Sequence, residues 1–589
     1  MASHTPVNRS SSPKSAHRSD LAWLQHYPSG IDWHRTYDAK PLYSILDDAA
    51  DNHGKSICTN FLGKTITYDE ICNHVAHAAA GLQKRGVAPG VKVGLFLPNC
   101  PTYIVYYFAI LKLGAIVVNY NPLYSHEELE FQVKNSGTRV MVTLDLEVLF
   151  DKVETLLKED VLQEAVICSF PALLSGGKSL LFQIFKGGDL SNPYKSEFKD
   201  KLVLERDLIA NDGVFTQPAI NPYEDIAVLQ YSGGTTGVPK GAMLTHANLY
   251  VNVHQIIDWA PDLTKSSQRV FAILPFFHVF GMTVVMNFSI ATASEIVLVP
   301  RFDLDNALKL VHTTKPTMMP GVPTLFNAIT NHPKLQSFDL SSLVFCISGG
   351  AALPLEVKQK FERLTGAKLI EGYGLSETSP VVAVSPIGGP VKENCIGQPL
   401  PQTILSLRDL NNPEKEVPIG EKGEVCIAGP QVMKGYWNAA DATKDIFIGE
   451  FLRTGDVAVM DNEGFFFIVD RIKDLIISSG YNVFPRRIED VLYEHPEVEE
   501  AAVIGVKDEY RGEVPKAFVK LCKDAKVDEE GLMAFMAPKL SKIEMPVEIE
   551  VRDELPKTPV GKPAKKVLKA EEDDKKNTHK ADTLGEDSV

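Results

Sequence analysis

The chain has 589 residues, a formal net charge of −15 and a hydrophobic content of 44%. That is enough apolar material for a large core, as several units or as one body with subdomains, and the acidic balance argues against nucleic acid as a partner, because such proteins carry a basic face. Eight cysteines are scattered between Cys58 and Cys522 without a CxxC pair; neither a zinc site nor a disulfide framework is suggested, and reduced thiols in a cytoplasmic setting are expected.

The first twenty residues are rich in Ser and basic groups and have no acid before Asp20. A transit peptide shares that composition, but an apolar face is missing, so an unstructured tail is expected over 1–24. Val91 to Leu97 reads as a strand ending at Pro98. The apolar stretch Tyr103 to Val118 contains Lys112 and falls short of the ~18 apolar residues of a membrane span; it reads as a buried helix. Residues 171–190 combine Leu173, Leu174, Leu180, Leu181, Phe182, Ile184 and Phe185 with Lys178, Lys186 and several glycines. They form a candidate amphipathic element lying on a membrane surface, the alternative being an insertion packed on its own domain.

A second strand, Ile226 to Gln230, runs into "YSGGTTGVPKG", Tyr231 to Gly241. Glycines let backbone N–H groups approach and cradle a phosphate; the Ser and Thr hydroxyls add donors and Lys240 a mobile positive charge. The spacing differs from GxxxxGK[ST], which disfavours a kinase or GTPase of that class. Val344 to Ile347 is a third strand, followed by Ser-Gly-Gly. Strands alternating with helical patterns argue for α/β architecture with buried sheets.

Four further stretches follow: "EGYGLSET" (Glu371 to Thr378), "LRTGD" (Leu452 to Asp456), "DRIKDLIISSGYNVFPRRIE" (Asp470 to Glu489) and "PKTPVGKPAKK" (Pro556 to Lys566). Asp456 can accept from two ribose hydroxyls, and Lys562 sits in a Gly/Pro-rich loop that cannot be helix interior. Beyond Asp470 basic residues accumulate, among them Lys473, Arg486, Arg487, Lys507, Arg511, Lys516, Lys557, Lys562, Lys565 and Lys566. In an acidic chain this points to a small domain that meets an anionic ligand, the plainer alternative being a solvated charged face. The charged C-terminus, 569–589, lacks an apolar pattern and reads as an unstructured tail.

With these five motifs in this order the chain resembles the AMP-forming acyl-CoA synthetases of the adenylate-forming superfamily. It is most similar to bacterial long- and medium-chain fatty-acid–CoA ligases; "NPLYSHEELE" and "GPQVMKGYWN" fit that branch. The resemblance, from about residue 25 to 568, implies an α/β fold: a large AMP-binding domain of sheets with packed helices over 25–472, and a small, mobile α+β domain over 473–568. It implies ATP, Mg2+ and coenzyme A, and a two-step reaction. A carboxylate attacks the α-phosphorus of ATP and expels pyrophosphate; the CoA thiol then attacks the acyl-adenylate and releases AMP. Both first reactants are anions, so positive charge must gather at the transition state. A serine acyl hydrolase is disfavoured, because no GxSxG elbow is found.

The resemblance also implies roles. Ser232, Gly233, Gly234, Thr235, Thr236, Gly237 and Lys240 hold the β- and γ-phosphates. Glu377 binds Mg2+, and Ser376, where Thr is usual, touches phosphate. Tyr373, preceded by Glu371 and Gly372, stacks on adenine, with Gly349, Gly350 and Ala351 on the other side. Asp456 and Arg471 hold the ribose, and Lys562 reaches the reacting carboxylate. The small domain turns about Lys473 between the two steps, so that Lys562 leaves and Ser479 and Gly480 enter with CoA. "LPFFHVFGMTVVMN", Leu274 to Asn287, matches the acyl-site segment, with His278 as gate and Met282 where some long-chain enzymes carry Trp. It holds no acid to pair with a substrate ammonium, which disfavours amino acids. The expectation is a synthetase for medium- to long-chain fatty acids. Alternatives are a ligase that loads a carrier-protein phosphopantetheine, an aryl-acid–CoA ligase, and a silent binding homologue. Partners are the small-molecule substrates, and a homodimer is allowed.

Overall fold

A computed structural model of the chain describes residues 21–232, 239–264, 268–389, 392, 395–479, 481–508, 510–557 and 563–586. The expected tail over 1–24 therefore falls mostly outside them. Its last residues do not: Ala22–His26 is a 3-10 turn, and Trp23 is buried with its ring 5.9 Å from Phe466. Gly464 makes room for it, since a Cβ there would lie 2.4 Å from the Trp23 backbone nitrogen.

Among the described residues the strands form three sheets. In the first, Leu202–Leu204, Glu164–Cys168, Val140–Leu144, Lys92–Leu95, Ile116–Asn119 and Ile226–Ser232 run parallel, and Lys240–Thr245 closes the edge antiparallel. Ile116–Asn119 and Val140–Leu144 are buried along their whole length, as central parallel strands covered on both faces should be. The helix expected from Tyr103 to Val118 spans Pro101–Lys112 and is buried from Pro101 to Leu111. It stops there because Gly114 takes φ +64, and the β-branched run beyond it joins the sheet.

The second sheet has a parallel centre: Ile57–Phe61, Glu295–Leu298, Arg269–Ala272, Met318–Gly321, Phe345–Gly349 and Lys368–Gly374. Val381–Val384 and Cys395–Pro399 continue it antiparallel into Phe466–Arg471, Phe451–Met460, Gly423–Ala428 and Ile404–Arg408. The third sheet belongs to the small C-terminal domain and joins Tyr481–Val483, Ile476–Ser478, Gly512–Leu521, Val498–Asp508 and Glu548–Val551. It has its own core, with Ile488 and Leu492 of the helix Pro485–Tyr493 packed among Ile476, Val503 and Leu532.

Of two charged or amphipathic segments, one keeps both expected alternatives open and the other differs from expectation. Residues 176–186 form a helix that none of its own side chains buries; Phe182 turns inward, its ring 4.9 Å from Phe170. The C-terminus expected as a tail over 569–589 is instead helical over Lys565–Glu586. Several charges in its described first turns are matched by the sheet. Leu568 is fully buried beside Phe518 and Leu555. Lys516, only 4% exposed, meets Glu548 at 2.9 Å, Glu550 at 3.0 Å and Glu572 of the helix at 3.0 Å. Arg552 pairs with Glu571 at 2.7 Å. Removing one partner of such a cluster leaves like charges facing one another. Lys516→Met should destabilise the small domain by about 3 kcal/mol, read by calorimetry as a lowered transition for that domain; an unchanged thermogram would show the cluster to be neutral.

Candidate active site

Ser232 lies opposite Lys240 in the antiparallel pair that closes the first sheet, so the glycine-rich stretch leaves and re-enters the sheet at one place. Gly233, Gly234, Thr235, Thr236 and Gly237, with the side chain of Ser232, lie outside the described residues. Beyond the loop, residues 434–437 are laid along the edge strand: Met243 N–H donates to Gly435 O at 2.9 Å, Lys434 N–H to Met243 O at 3.0 Å, and Trp437 N–H to Gly241 O at 2.8 Å. This brings Tyr436 between two groups that the sequence holds far apart. The Lys240 ammonium lies 5.4 Å from its ring centre, and its hydroxyl donates to Glu377 Oε1 at 2.8 Å. Burial, and then the Glu377 carboxylate, push the Tyr436 phenol well above its ordinary pKa, so it remains a donor. Tyr436 was missed as a site residue; its only signal was its place in "GPQVMKGYWN".

Glu377 sits in the turn Ser376–Thr378, which Thr378 braces from below: its buried hydroxyl donates to Pro380 O at 2.6 Å and accepts from Leu375 N–H at 3.0 Å. One half-buried carboxylate is the kind of ligand that suits Mg2+, which usually takes one or two carboxylates and completes its shell with water and substrate phosphate. Ser376 is partly exposed on the same turn.

The strand ends around Tyr373 come next. Gly349 pairs with Gly372 at the C-terminal ends of two parallel strands; a Cβ on Gly349 would come within 3.0 Å of the Phe280 ring. Gly350 takes φ +83 and Ala351 is exposed just beyond. The Tyr373 hydroxyl donates to Asp456 Oδ2 at 2.5 Å, and Arg471 Nε donates to Asp456 Oδ1 at 2.7 Å. Asp456 is 2% exposed, so a ribose bound there must share these donors or displace them. Glu371 stands apart from this group. Burial lifts its carboxyl to about 7 against the pull of Arg486 and a bond from the Leu353 N–H, which sets it on the seam with the small domain.

The acyl segment contains a π-helix over Gly281–Asn287, a local widening often found at functional sites. Thr283 Oγ1 donates to Ser379 O at 2.7 Å, which ties this segment to the turn that carries Glu377. His278 is half-buried, and its Nδ1 accepts from Phe280 N–H at 3.2 Å. Met282 is fully buried, with its sulfur 3.4 Å from Asn119 Nδ2. Neither His278, Met282 nor Ala351 lines the apolar cavity behind them. That cavity is walled by Val284 and Phe288 of the same segment, Ile256 and Trp259 of the helix His246–Trp259, and Met318, Ile347 and Ile370 of the second sheet, and no polar side chain lines it. On the small domain, Lys473 is exposed in the turn Ile472–Asp474, and Ser479 takes φ +50 with its N–H on Arg511 O at 2.7 Å. Gly480 and Lys562 lie outside the described residues.

This architecture has relatives. The model of the AMP-binding enzyme family matches residues 46–437, and that of the AMP-binding enzyme C-terminal domain matches 487–562. The long-chain-fatty-acid–CoA ligase of Bacillus subtilis is 43% identical over 567 residues, covering 94% of this chain and 99% of that protein. The enzyme of the same name from Salmonella typhi is 36% identical over 555 residues, covering 93% and 98%. Among solved structures, the anthranilate CoA ligase AuaEII in complex with anthranoyl-AMP superposes with a TM-score of 0.80 at 26% identity, covering 92% of this chain and 98% of that one.

The Tyr436 hydroxyl holds Glu377 by its Oε1. Tyr436→Phe should raise the Mg2+ concentration that half-saturates pyrophosphate release by about tenfold, corresponding to one charge-assisted hydrogen bond, with the melting midpoint nearly unchanged. A titration identical to wild type would show that Glu377 needs no such support.

Proposed function

The chain belongs to the AMP-binding enzyme family, and on that basis we propose how its residues divide the work of fatty-acid activation. It is an AMP-forming acid–thiol ligase that uses ATP, Mg2+ and coenzyme A and joins a fatty acid to CoA. The observation that carries the choice of acid is the wholly apolar lining of the space between the π-helical segment and the strands Met318–Gly321, Phe345–Gly349 and Lys368–Gly374, a cavity of about 30 Å3 that an acyl chain must widen. A methylene chain loses nothing there and gains about 0.8 kcal/mol per buried CH2, whereas a substrate ammonium would find no acid between Pro275 and Asn287.

In this reading the fatty carboxylate lies near His278 and Ala351 and faces the α-phosphate, and its chain runs on past Val284 and Phe288 into the cavity. Lys240 and the glycine-rich loop draw charge from the departing pyrophosphate, and Lys562 offsets the repulsion between the two anions. Glu377, oriented by Tyr436, holds Mg2+, which when bound neutralises phosphate charge. Tyr373, Gly349 and Gly350 border the adenine, and Asp456 with Arg471 takes the ribose. The boundary at residue 473 and the turning of the small domain about Lys473 follow from the same reading, with Ser479 and Gly480 arriving for the CoA step. Across straight-chain acids kcat/KM should rise about fourfold per added methylene until the cavity is full. Val284→Phe, which narrows its wall, should move the optimum to shorter acids. A flat response to length, or a preference for aryl acids, would overturn the substrate assignment.

Among the described residues no helix is long and apolar enough to cross a membrane. The helix Gly176–Lys186 supports contact of another kind. Its outer face shows Leu180, Leu181, Ile184 at 63% and Phe185 at 77% exposure. Leu123 and Val148, also exposed, follow the two parallel strands that flank Lys92–Leu95, at the same end of the first sheet. Lys178, Lys186, Lys195 and Lys199 lie on or after the helix of an otherwise acidic chain. An exposed apolar face on a helix that carries Lys178 and Lys186 and no acid suits an anionic bilayer surface, where the substrate of such a ligase dissolves. The pair Leu180→Ser and Phe185→Ser should reduce partitioning onto phosphatidylglycerol vesicles by more than about tenfold and leave turnover of detergent-dispersed palmitate as it was. Equal partitioning of variant and parent in a vesicle flotation assay would exclude this face.

A further inference from the structure

The large domain and the first helix of the small one meet at Asp470. It lies in the strand Phe466–Arg471 and is 4% exposed. One carboxylate oxygen accepts from Arg471 N–H at 2.7 Å, and the other from Arg486 N–H at 2.9 Å. Arg486 is the second residue of the helix Pro485–Tyr493, which has no side-chain cap of its own, because Phe484 precedes it and Pro485 has no N–H to offer. The first N–H groups of a helix lack intrahelical partners and carry partial positive charge, so a carboxylate there satisfies a donor and is favoured by the helix dipole. Here that carboxylate arrives from the far side of Lys473. Other contacts cross the same junction. The Lys422 ammonium lies 4.0 Å from the centre of the Phe484 ring, and Asn327 Nδ2 reaches Glu499 O at 3.4 Å. Within the small domain, Lys565 pairs with Glu489 at 2.7 Å on the helix that Asp470 caps.

We propose that Asp470 is a positioning residue: it caps the helix Pro485–Tyr493 across the domain junction, holds the small domain in this orientation, and must release Arg486 N–H when that domain turns about Lys473. The proposal rests on the domain-rotation reading given above. Asp470 stays with the large domain and Arg486 leaves with the small one. Release exposes a buried carboxylate, whose recovered hydration offsets the lost hydrogen bond, so neither orientation is locked. The next residue, Arg471, is bound to Asp456. The nucleotide site and the hold on the small domain thus occupy adjacent residues of one strand.

The test uses the full chain with nitroxide labels at Val344→Cys on the large domain and Tyr510→Cys on the small one, both exposed, in a background where Cys72 and Cys522 are Ser. Pulsed electron paramagnetic resonance then reads the distance between domains. With Asp470 intact, a second distance should grow when acyl-adenylate and CoA are added. Asp470→Ala should shift the ratio of the two populations without ligand by about fivefold, the scale of losing a helix cap. Asp470→Asn keeps one oxygen for Arg486 N–H but turns an amide donor toward Arg471 N–H and loses the charge, so it should fall between wild type and Asp470→Ala. The ratio of pyrophosphate release to thioester formation from supplied acyl-adenylate should follow the same order. A single distance under every ligand would refute rotation, and the cap with it. Two distances whose ratio ignores Asp470→Ala would refute the cap alone, as would an equal fall in both half-reactions with a lowered melting midpoint.

Discussion

Asp456 is a carboxylate removed from water, and the surrounding elements are arranged to give each of its oxygens a donor. Tyr373 comes from the end of the strand Lys368–Gly374, and Arg471 from the end of Phe466–Arg471, directly across the ladder from Asp456. An unpaired charge at that depth would cost several kcal/mol, so the three side chains fix one another. The parallel centre of the second sheet and its antiparallel extension are thereby joined at the point where the nucleotide is expected. The chain leaves this point through Arg471 and enters the small domain within a few residues, so the geometry of the junction depends on the same carboxylate.

Much of this could be read from the residues, and the exceptions have physical causes. Ile226 to Gln230 and Val344 to Ile347 were legible as strands because uninterrupted apolar and β-branched runs between breakers have few other uses. Lys240, Tyr373, Glu377, Asp456 and Arg471 stood out because glycines flank most of them, and the structure gathers them into two groups, one around Tyr436 and one around Asp456. Tyr436 itself was not legible, because a tyrosine between a glycine and a tryptophan looks like any packed aromatic until its hydroxyl is seen on Glu377. The cavity wall was hidden for a similar reason. Ile256, Met318 and Ile370 come from separate elements, and each is indistinguishable from ordinary core until the fold places them around one space.

The C-terminal helix shows the opposite failure. Its charge pattern was read as a sign of solvation, which holds when water is the only partner available. Glu571 and Glu572 instead meet Arg552 and Lys516 on the sheet. Composition reports how many charges a segment carries and says nothing of whether a neighbouring surface is waiting to neutralise them. The apolar large domain and the ion-laced small one also suit different tasks. In the function proposed above, the first excludes water from an acyl chain, and the second presents cations to phosphate and turns.

The strand Lys240–Thr245 ends its sheet, and an open terminal strand exposes unpaired N–H and C=O groups to any other chain with the same need. Residues 434–437 cover that border with three main-chain hydrogen bonds before they deliver Tyr436 to Glu377. One short segment therefore guards the rim of a sheet and holds the carboxylate of the turn Ser376–Thr378. Damage to its backbone, by a proline or a deletion, would reach further than lost turnover: the uncovered border would invite association between copies of the protein. At this segment, selection for solubility and selection for chemistry act on the same four residues.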